Sequence, residues 1–243
     1  MKMDEKIEYA EQWEVSSKYF YDMNYYDWMR KRVESYKIIL EVGCGTGYST
    51  LALLESVHKV IAIDKNGACI EKAKKLVQQK GYSIGDLSVA DVTFIEADIA
   101  VEKNQLKISD ICFDLVMCWN VGSYWDKDTI QFYLPYMLEY GLKIFQIQQN
   151  PESSYAELIL WNACKMAAMK GIPVHIVDRA GEVVDETTDD YYCTLKEEFH
   201  FSSLEFDNLQ ADSISNGGRM LVTNGSINRE KVIDTILVSI FMK

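Results

Sequence analysis

The sequence predicts a single α/β domain: a mostly parallel sheet with helices on both faces, antiparallel strands at its C-terminal end and a helical extension at its N-terminal end. Three observations carry this. From Lys37 onward, short apolar runs alternate with longer amphipathic ones, the order that gives parallel pairing through helical crossovers. A loop with three alternating glycines, LEVGCGTGYST over 40–50, joins the first apolar run to the first helical one. The last third holds strand-like runs with little helix between them. At 243 residues, 48% of them hydrophobic, the chain is long enough to bury one sizeable core.

The elements follow in order. Residues 1–36 are dense in aromatics, and Ile7, Ala10, Trp13 and Val15, then Phe20, Met23 and Tyr26, recur closer to a helical than to an alternating period, so two short helices are expected. KIILEV is the first strand. STLALLESV is a helix with Leu51, Leu54 and Val57 on one face, and KVIAID is the second strand. GACIEKAKKLVQQKG is a helix opened by Asn66 and closed at Gly81. VTFIEAD and FDLVMCW are the third and fourth strands, and DTIQFYLPYMLEYG is a helix. LKIFQIQ reads as a fifth strand, followed by the long helix SYAELILWNACKMAAMKG. IPVHIVD, YYCTLKEEFHF, RMLVTNG and DTILVSIFMK read as strands, with tight turns at Asn216-Gly217-Gly218 and Asn224-Gly225.

Composition narrows the function. Acidic residues outnumber basic ones, 37 to 25, for a formal net charge of −12, which repels phosphate backbones and argues against a nucleic-acid partner. No stretch reaches the roughly 20 apolar residues of a membrane helix, and the N-terminal residues carry no apolar core of signal-peptide length; a cytoplasmic location is expected. The six cysteines form no Cys-x-x-Cys pair, so free thiols are expected. His58, His175 and His200 show no ligand spacing, so no metal is expected.

The glycine loop can be tested against known phosphate and nucleotide loops. A P-loop ends in Gly-Lys-Ser/Thr, and no lysine stands here. A dinucleotide loop would place its third glycine at 48, but that residue is Tyr48; the glycine comes one position early, at Gly47. An acid, Glu41, precedes the loop.

Glu-x-Gly-x-Gly-x-Gly after a first strand resembles the first motif of the class I S-adenosylmethionine-dependent methyltransferases. The resemblance runs from about Lys37 to Gln149 and, more loosely, to the C-terminal strands. It implies a Rossmann-like seven-stranded sheet whose last strand is antiparallel, with S-adenosylmethionine as cofactor. By the same resemblance Gly43, Cys44, Gly45 and Gly47 cradle the cofactor, while Glu41 orders the loop and helps to bind its amino group. Asp64, ending the second strand 19 residues after Gly45, would accept both ribose hydroxyls, with Lys65 beside it; otherwise it is an acid at a helix start. Asp98 and the Ile99 amide would meet the adenine, unless Asp98 is a turn or cap residue. Trp119 and Asn120, ending the fourth strand, would lie beside the methionine part.

The resemblance divides the chain into an N-terminal lid (1–36), a cofactor-binding half (37–150) and a substrate-side half (151–243). Candidate acceptor walls are Tyr124 and Trp125 in WNVGSYWD, Gln148 and Asn150 in IQQNPESSY, and Trp13, Phe20 and Tyr21 in the N-terminal segment; each set could equally be packing or capping residues. The Asn/Asp-Pro-Pro-Tyr/Phe motif of methyltransferases acting on nucleobase or glutamine amino groups is missing. Eight acids between Asp178 and Glu198 could attract an amine or form a solvated loop. The expected function is methyl transfer to nitrogen or oxygen of a small acceptor; the competing readings are a protein or peptide methyltransferase and a non-catalytic cofactor-binding protein.

Overall fold

The computed structural model describes residues 3–56, 59–120, 130–214, 222–223, 226–227 and 232–243. A seven-stranded sheet forms its centre. In chain order its strands are β1 (Ile38–Val42), β2 (Lys59–Asp64), β3 (Val92–Glu96), β4 (Leu115–Trp119), β5 (Val174–Ala180), β6 (Leu204–Ile214) and β9 (Val232–Met242). In space the order is β3-β2-β1-β4-β5-β9-β6. The first five are parallel, and β9 runs antiparallel to both β5 and β6. A short ribbon, β7 (Val222–Thr223) with β8 (Ser226–Ile227), stands apart from the sheet.

Strand residues alternate between two apolar layers, as the pleat requires. Leu40, Ile61, Val116, Ile176 and Ile240 face one layer; Ile39, Val60, Ala62, Met117 and Val177 face the other. The second layer is closed by α1 (Met3–Asp22), α2 (Tyr25–Lys31), α3 (Tyr48–Leu54) and α4 (Gly67–Gln79). The first is closed by α5 (Glu102–Ser109), α6 (Ile130–Tyr140), α7 (Ile144–Gln149), α8 (Pro151–Lys170) and α9 (Asp190–Glu198). Helices on both faces and a predominantly parallel sheet bear out the expected class. Asn66 caps α4 as expected, its side chain accepting from the Ala68 amide.

Five elements depart from expectation, one of them α5, a helix between β3 and β4 where none is expected. The N-terminal segment forms one helix of 20 residues and one of 7, not two short ones. LKIFQIQ is not a strand: Ile144–Gln149 is the helix α7, with Ile147 buried and Ile144 and Phe145 exposed. YYCTLKEEFHF is a helix too; Asp189 caps α9 by accepting from the amides of Tyr191 and Tyr192, and Tyr192 and Leu195 bury one face. The strand paired with β9 is instead β6, LEFDNLQADSI. The turns expected at 216–218 and 224–225 lie outside the described residues.

Candidate functional site

The loops after β1, β2, β3 and β4 meet along the carboxyl edge of the parallel strands, the edge where open α/β sheets bind ligands. Gly43, Gly45 and Gly47 take φ of 78°, 52° and 90°, which turns the chain sharply from β1 into α3. The loop is fastened to β2. The amides of Gly43 and Cys44 donate to the Ile63 carbonyl at 2.9 and 3.0 Å, and the Gly45 amide donates to Asp64 Oδ2 at 2.9 Å. Glycine is also required for space: a Cβ on Gly45 would run into the Trp13 indole, and one on Gly47 would lie 2.7 Å from Ala73 Cβ.

Carboxylates surround the loop in three different states. Asp64 accepts from Gly45 and, through Oδ1, from the Asn66 amide at 2.8 Å; burial raises its pKa against the pull of those two amides. Glu41 lies beneath the loop, 1% exposed, and turns to α3, accepting from Ser49 Oγ and from Thr50 Oγ1 at 2.6 Å. Burial lifts its pKa to about 7, with the two hydroxyls pulling the other way. Asp98 accepts from Tyr133 on α6, from Tyr155 Oη on α8 at 2.9 Å and from the Ala100 amide at 2.9 Å.

Between Asp64 and Asp98 opens a cleft at the carboxyl edge of the sheet. Gly43, Gly45, Asp64, Lys65, Asp98 and Ile99 line it, six residues that the sequence alone had singled out. The Lys65 ammonium stands 3.6 Å from the centre of the Tyr155 ring, a cation–π contact. Tyr9 and Trp13, stacked one turn apart on α1, form the roof. The helix is held over the loop at several points: Ser17 Oγ pairs with Thr46 Oγ1 at 2.8 Å, Lys72 with Glu14 at 2.6 Å, and Asn66 Nδ2 donates to the Lys6 carbonyl at 3.1 Å.

Other expected residues fall elsewhere. The Cys44 side chain is buried in the core, leaving only its backbone to the loop. Trp119 turns into the core, where its Nε1 donates to His175 Nδ1 at 2.9 Å and its ring stacks on Tyr26. Asn120 follows β4 in a left-handed conformation and faces a separate recess. Tyr21 leaves the cleft to bond Glu55 at 2.5 Å. Gln148 and Asn150 are exposed because their segment is helical; Asn150 caps α8 by accepting from the Ser153 amide at 3.2 Å. Tyr124 and Trp125 lie outside the described residues. Sequence reasoning missed Tyr9, Tyr133 and Tyr155. The two tyrosines that hold Asp98 stand on different helices, and no local motif joins them.

Comparison with known proteins agrees with this layout. A family model described as a methyltransferase domain matches residues 39–138, the stretch from β1 into α6 that holds the glycine loop and both strand-end aspartates. A protein-L-isoaspartate O-methyltransferase of Petrotoga mobilis is 38% identical over 56 residues, 23% of this chain and 26% of that protein, so the chain spans about a quarter of its relative. Among solved structures, a SAM-dependent methyltransferase from Agrobacterium tumefaciens superposes with a TM-score of 0.50 at 14% identity, covering 91% of this chain and 62% of the other. The N-methyltransferase NodS of Bradyrhizobium japonicum, solved with S-adenosyl-L-homocysteine, gives 0.47 at 14%, covering 92% and 87%. Residues 39–138 thus match a methyltransferase-domain family, and the sheet around them has the strand order of the Rossmann-like methyltransferase fold.

Proposed function

We propose that the chain transfers a methyl group from S-adenosylmethionine to nitrogen or oxygen of a small-molecule acceptor by direct displacement. The observation that carries this is the convergence of the glycine loop, Asp64 and Asp98 on one roofed cleft. The donor set fits the cofactor. Asp64 keeps acceptor capacity beyond its two amide bonds and suits a ribose diol. Positive φ at Gly43 and Gly45 lets a ligand approach the backbone closely. Ile99 and the ring of Tyr155 offer apolar walls beside Asp98 for a purine.

When bound, S-adenosylmethionine would supply a methyl group activated by a sulfonium, and the glycine loop, Asp64 and Asp98 would hold it. The chain's own task is alignment and exclusion of water. Alignment of two reactants can supply roughly 7–11 kcal/mol of a barrier, and a roof of Tyr9 and Trp13 over the cleft serves both ends. A covered cleft supports a small acceptor over a folded protein. Three members of the acidic run are engaged within the fold, Asp178 with Tyr192, Asp185 with Thr187 and Asp189 at the start of α9, so nitrogen and oxygen acceptors stand equally in this reading.

Calorimetric titration with S-adenosylhomocysteine and, separately, NAD tests the reading. S-adenosylhomocysteine is expected to bind and NAD not to. Asp64→Ala is expected to weaken S-adenosylhomocysteine at least tenfold, because a lost charged acceptor is worth about 1.5–3 kcal/mol. Preference for NAD would overturn the reading.

A further inference from the structure

Beyond Trp13, on the far side from the cofactor cleft, lies a second, small recess between α1, α2 and the ends of β4 and β5. Two of its side chains are hard to explain by folding alone. Asn120 is 4% exposed and held at φ 47° by its backbone, whose amide donates to the Val177 carbonyl at 2.8 Å. Neither Nδ2 nor Oδ1 of its side chain has a hydrogen-bond partner among the described residues. A buried amide with both atoms unsatisfied is rare in a folded protein and costs stability, as does the left-handed backbone that aims it.

Arg179 is the recess's cation. Among the described residues one guanidinium N–H reaches Ser213 Oγ at 3.2 Å, and no carboxylate stands within ion-pair distance. The neighbouring Asp178 carboxylate is taken by Tyr192 Oη at 3.1 Å. Burial pulls the arginine's pKa down, which marks the cost of keeping its charge there. The two serine hydroxyls are already committed: Ser16 donates to the Ile214 carbonyl at 2.9 Å, and Ser17 to the Trp13 carbonyl at 2.9 Å. Phe20 and Tyr26 close the recess with apolar rings.

A guanidinium presents a planar fork of donors that matches a carboxylate in two bonds, and an adjacent primary amide adds a further donor. We propose that this recess anchors the methyl acceptor: Arg179 and Asn120 hold the carboxylate of a small amino- or hydroxy-carboxylic acid whose nitrogen or oxygen then lies towards the cofactor cleft past Trp13. The inference rests on the methyltransferase reading above and adds the acceptor's class to it.

The test uses full-length protein saturated with S-adenosylhomocysteine, whose binding is measured first and so checks the cofactor reading separately. Two matched probe pairs, anthranilate with anthranilamide and salicylate with salicylamide, are titrated by calorimetry; each pair keeps its shape and loses its charge. At least one acid is expected to bind tenfold or more tightly than its amide. Arg179→Met is expected to abolish that preference, and Arg179→Lys to keep part of it, with S-adenosylhomocysteine affinity unchanged within twofold in both. Equal binding of acid and amide in both pairs, or binding of none of the four, overturns the proposal. So does a tenfold loss of S-adenosylhomocysteine affinity in Arg179→Met, which would assign the arginine to the cofactor's own carboxylate. Should Arg179→Met fail to fold, the acid–amide comparison on the wild-type protein decides alone.

Discussion

Glu41 and His175 show how differently two buried titratable groups can act on the same fold. Glu41 would ordinarily titrate near 4.5 and is pushed to about 7 by burial; His175 would ordinarily titrate near 6.5 and is pushed down to about 3 by burial, with the Arg32 charge adding to it. In the native state Glu41 therefore holds its proton more tightly than in the unfolded chain. Its contribution to stability is fully present below pH 4.5 and is lost as pH rises through about 7. His175 behaves in the opposite sense: its stability is present above pH 6.5 and is lost as pH falls towards 3. The imidazole can stay neutral because Trp119 donates to Nδ1, which leaves the proton on Nε2 to meet Ser239 Oγ at 2.8 Å. Between pH 4.5 and 6.5 the two slopes oppose, so the wild-type profile is flatter than either group alone would give. Glu41→Gln removes one of them while keeping the shape that Ser49 and Thr50 bond. Relative to wild type, this variant should gain on the order of 3 kcal/mol between pH 4.5 and 7.5, at 1.36 kcal/mol per pH unit. Urea unfolding at both pH values checks this, and a constant difference between the proteins would show that Glu41 is not linked to folding. The sequence marked Glu41 as a functional acid. Its bonding to α3 could not be read there, because Ser49 and Thr50 look like ordinary helix residues until the loop closes.

At the scale of elements, legibility followed how much of the pattern is local. β1, β2, β4 and α4 were read correctly because each is bounded by its own signals: a run of buried aliphatics, then a glycine or a capping Asn66. α7 was misread because Ile144, Phe145 and Ile147 among lysine and glutamines mimic a strand's alternation, yet only Ile147 is buried. β6 went unseen because its solvent-facing Glu205 and Asp207 break any apolar pattern; its strand character comes from pairing along β9 over eleven residues, a contact made across the chain. The site divides in the same way. The glycine loop and Asp64 are contiguous with strand ends, which is why the sequence singles them out, whereas Tyr9, Tyr133 and Tyr155 join the candidate site only through packing. The tightest of these packings gives a prediction. α3 and α4 approach each other over Gly47, where φ is 90° and Ala73 leaves no room for a Cβ. Gly47→Ala should cost roughly 2–4 kcal/mol, combining a left-handed alanine with overpacking. The cost should appear as a lower urea midpoint with an unchanged slope; an unchanged midpoint would mean that the two helices separate freely.

For the whole molecule, the consequence of the topology is that the lining of the cleft and the fold share one set of contacts. α1 is the first element of the chain, yet it touches the glycine loop through Ser17, α4 through Glu14 and β6 through Ser16, which bonds Ile214 near the far edge of the sheet. The cleft's floor belongs to β1, β2 and β3 and its roof to α1, so a ligand between them ties the N-terminal helix to the parallel core. A ligand that binds only the native state at a hundredfold excess over its dissociation constant adds about 2.7 kcal/mol. In a domain of this size each kcal/mol moves the melting temperature by about 2–4 °C. S-adenosylhomocysteine should therefore raise Tm by about 5–10 °C, and NAD by nothing. Because roof and floor are joined by the ligand, the same addition should slow hydrogen exchange across α1 together with the glycine loop. A rise in Tm with exchange in α1 unchanged would place the ligand on the floor alone and remove Tyr9 and Trp13 from the site.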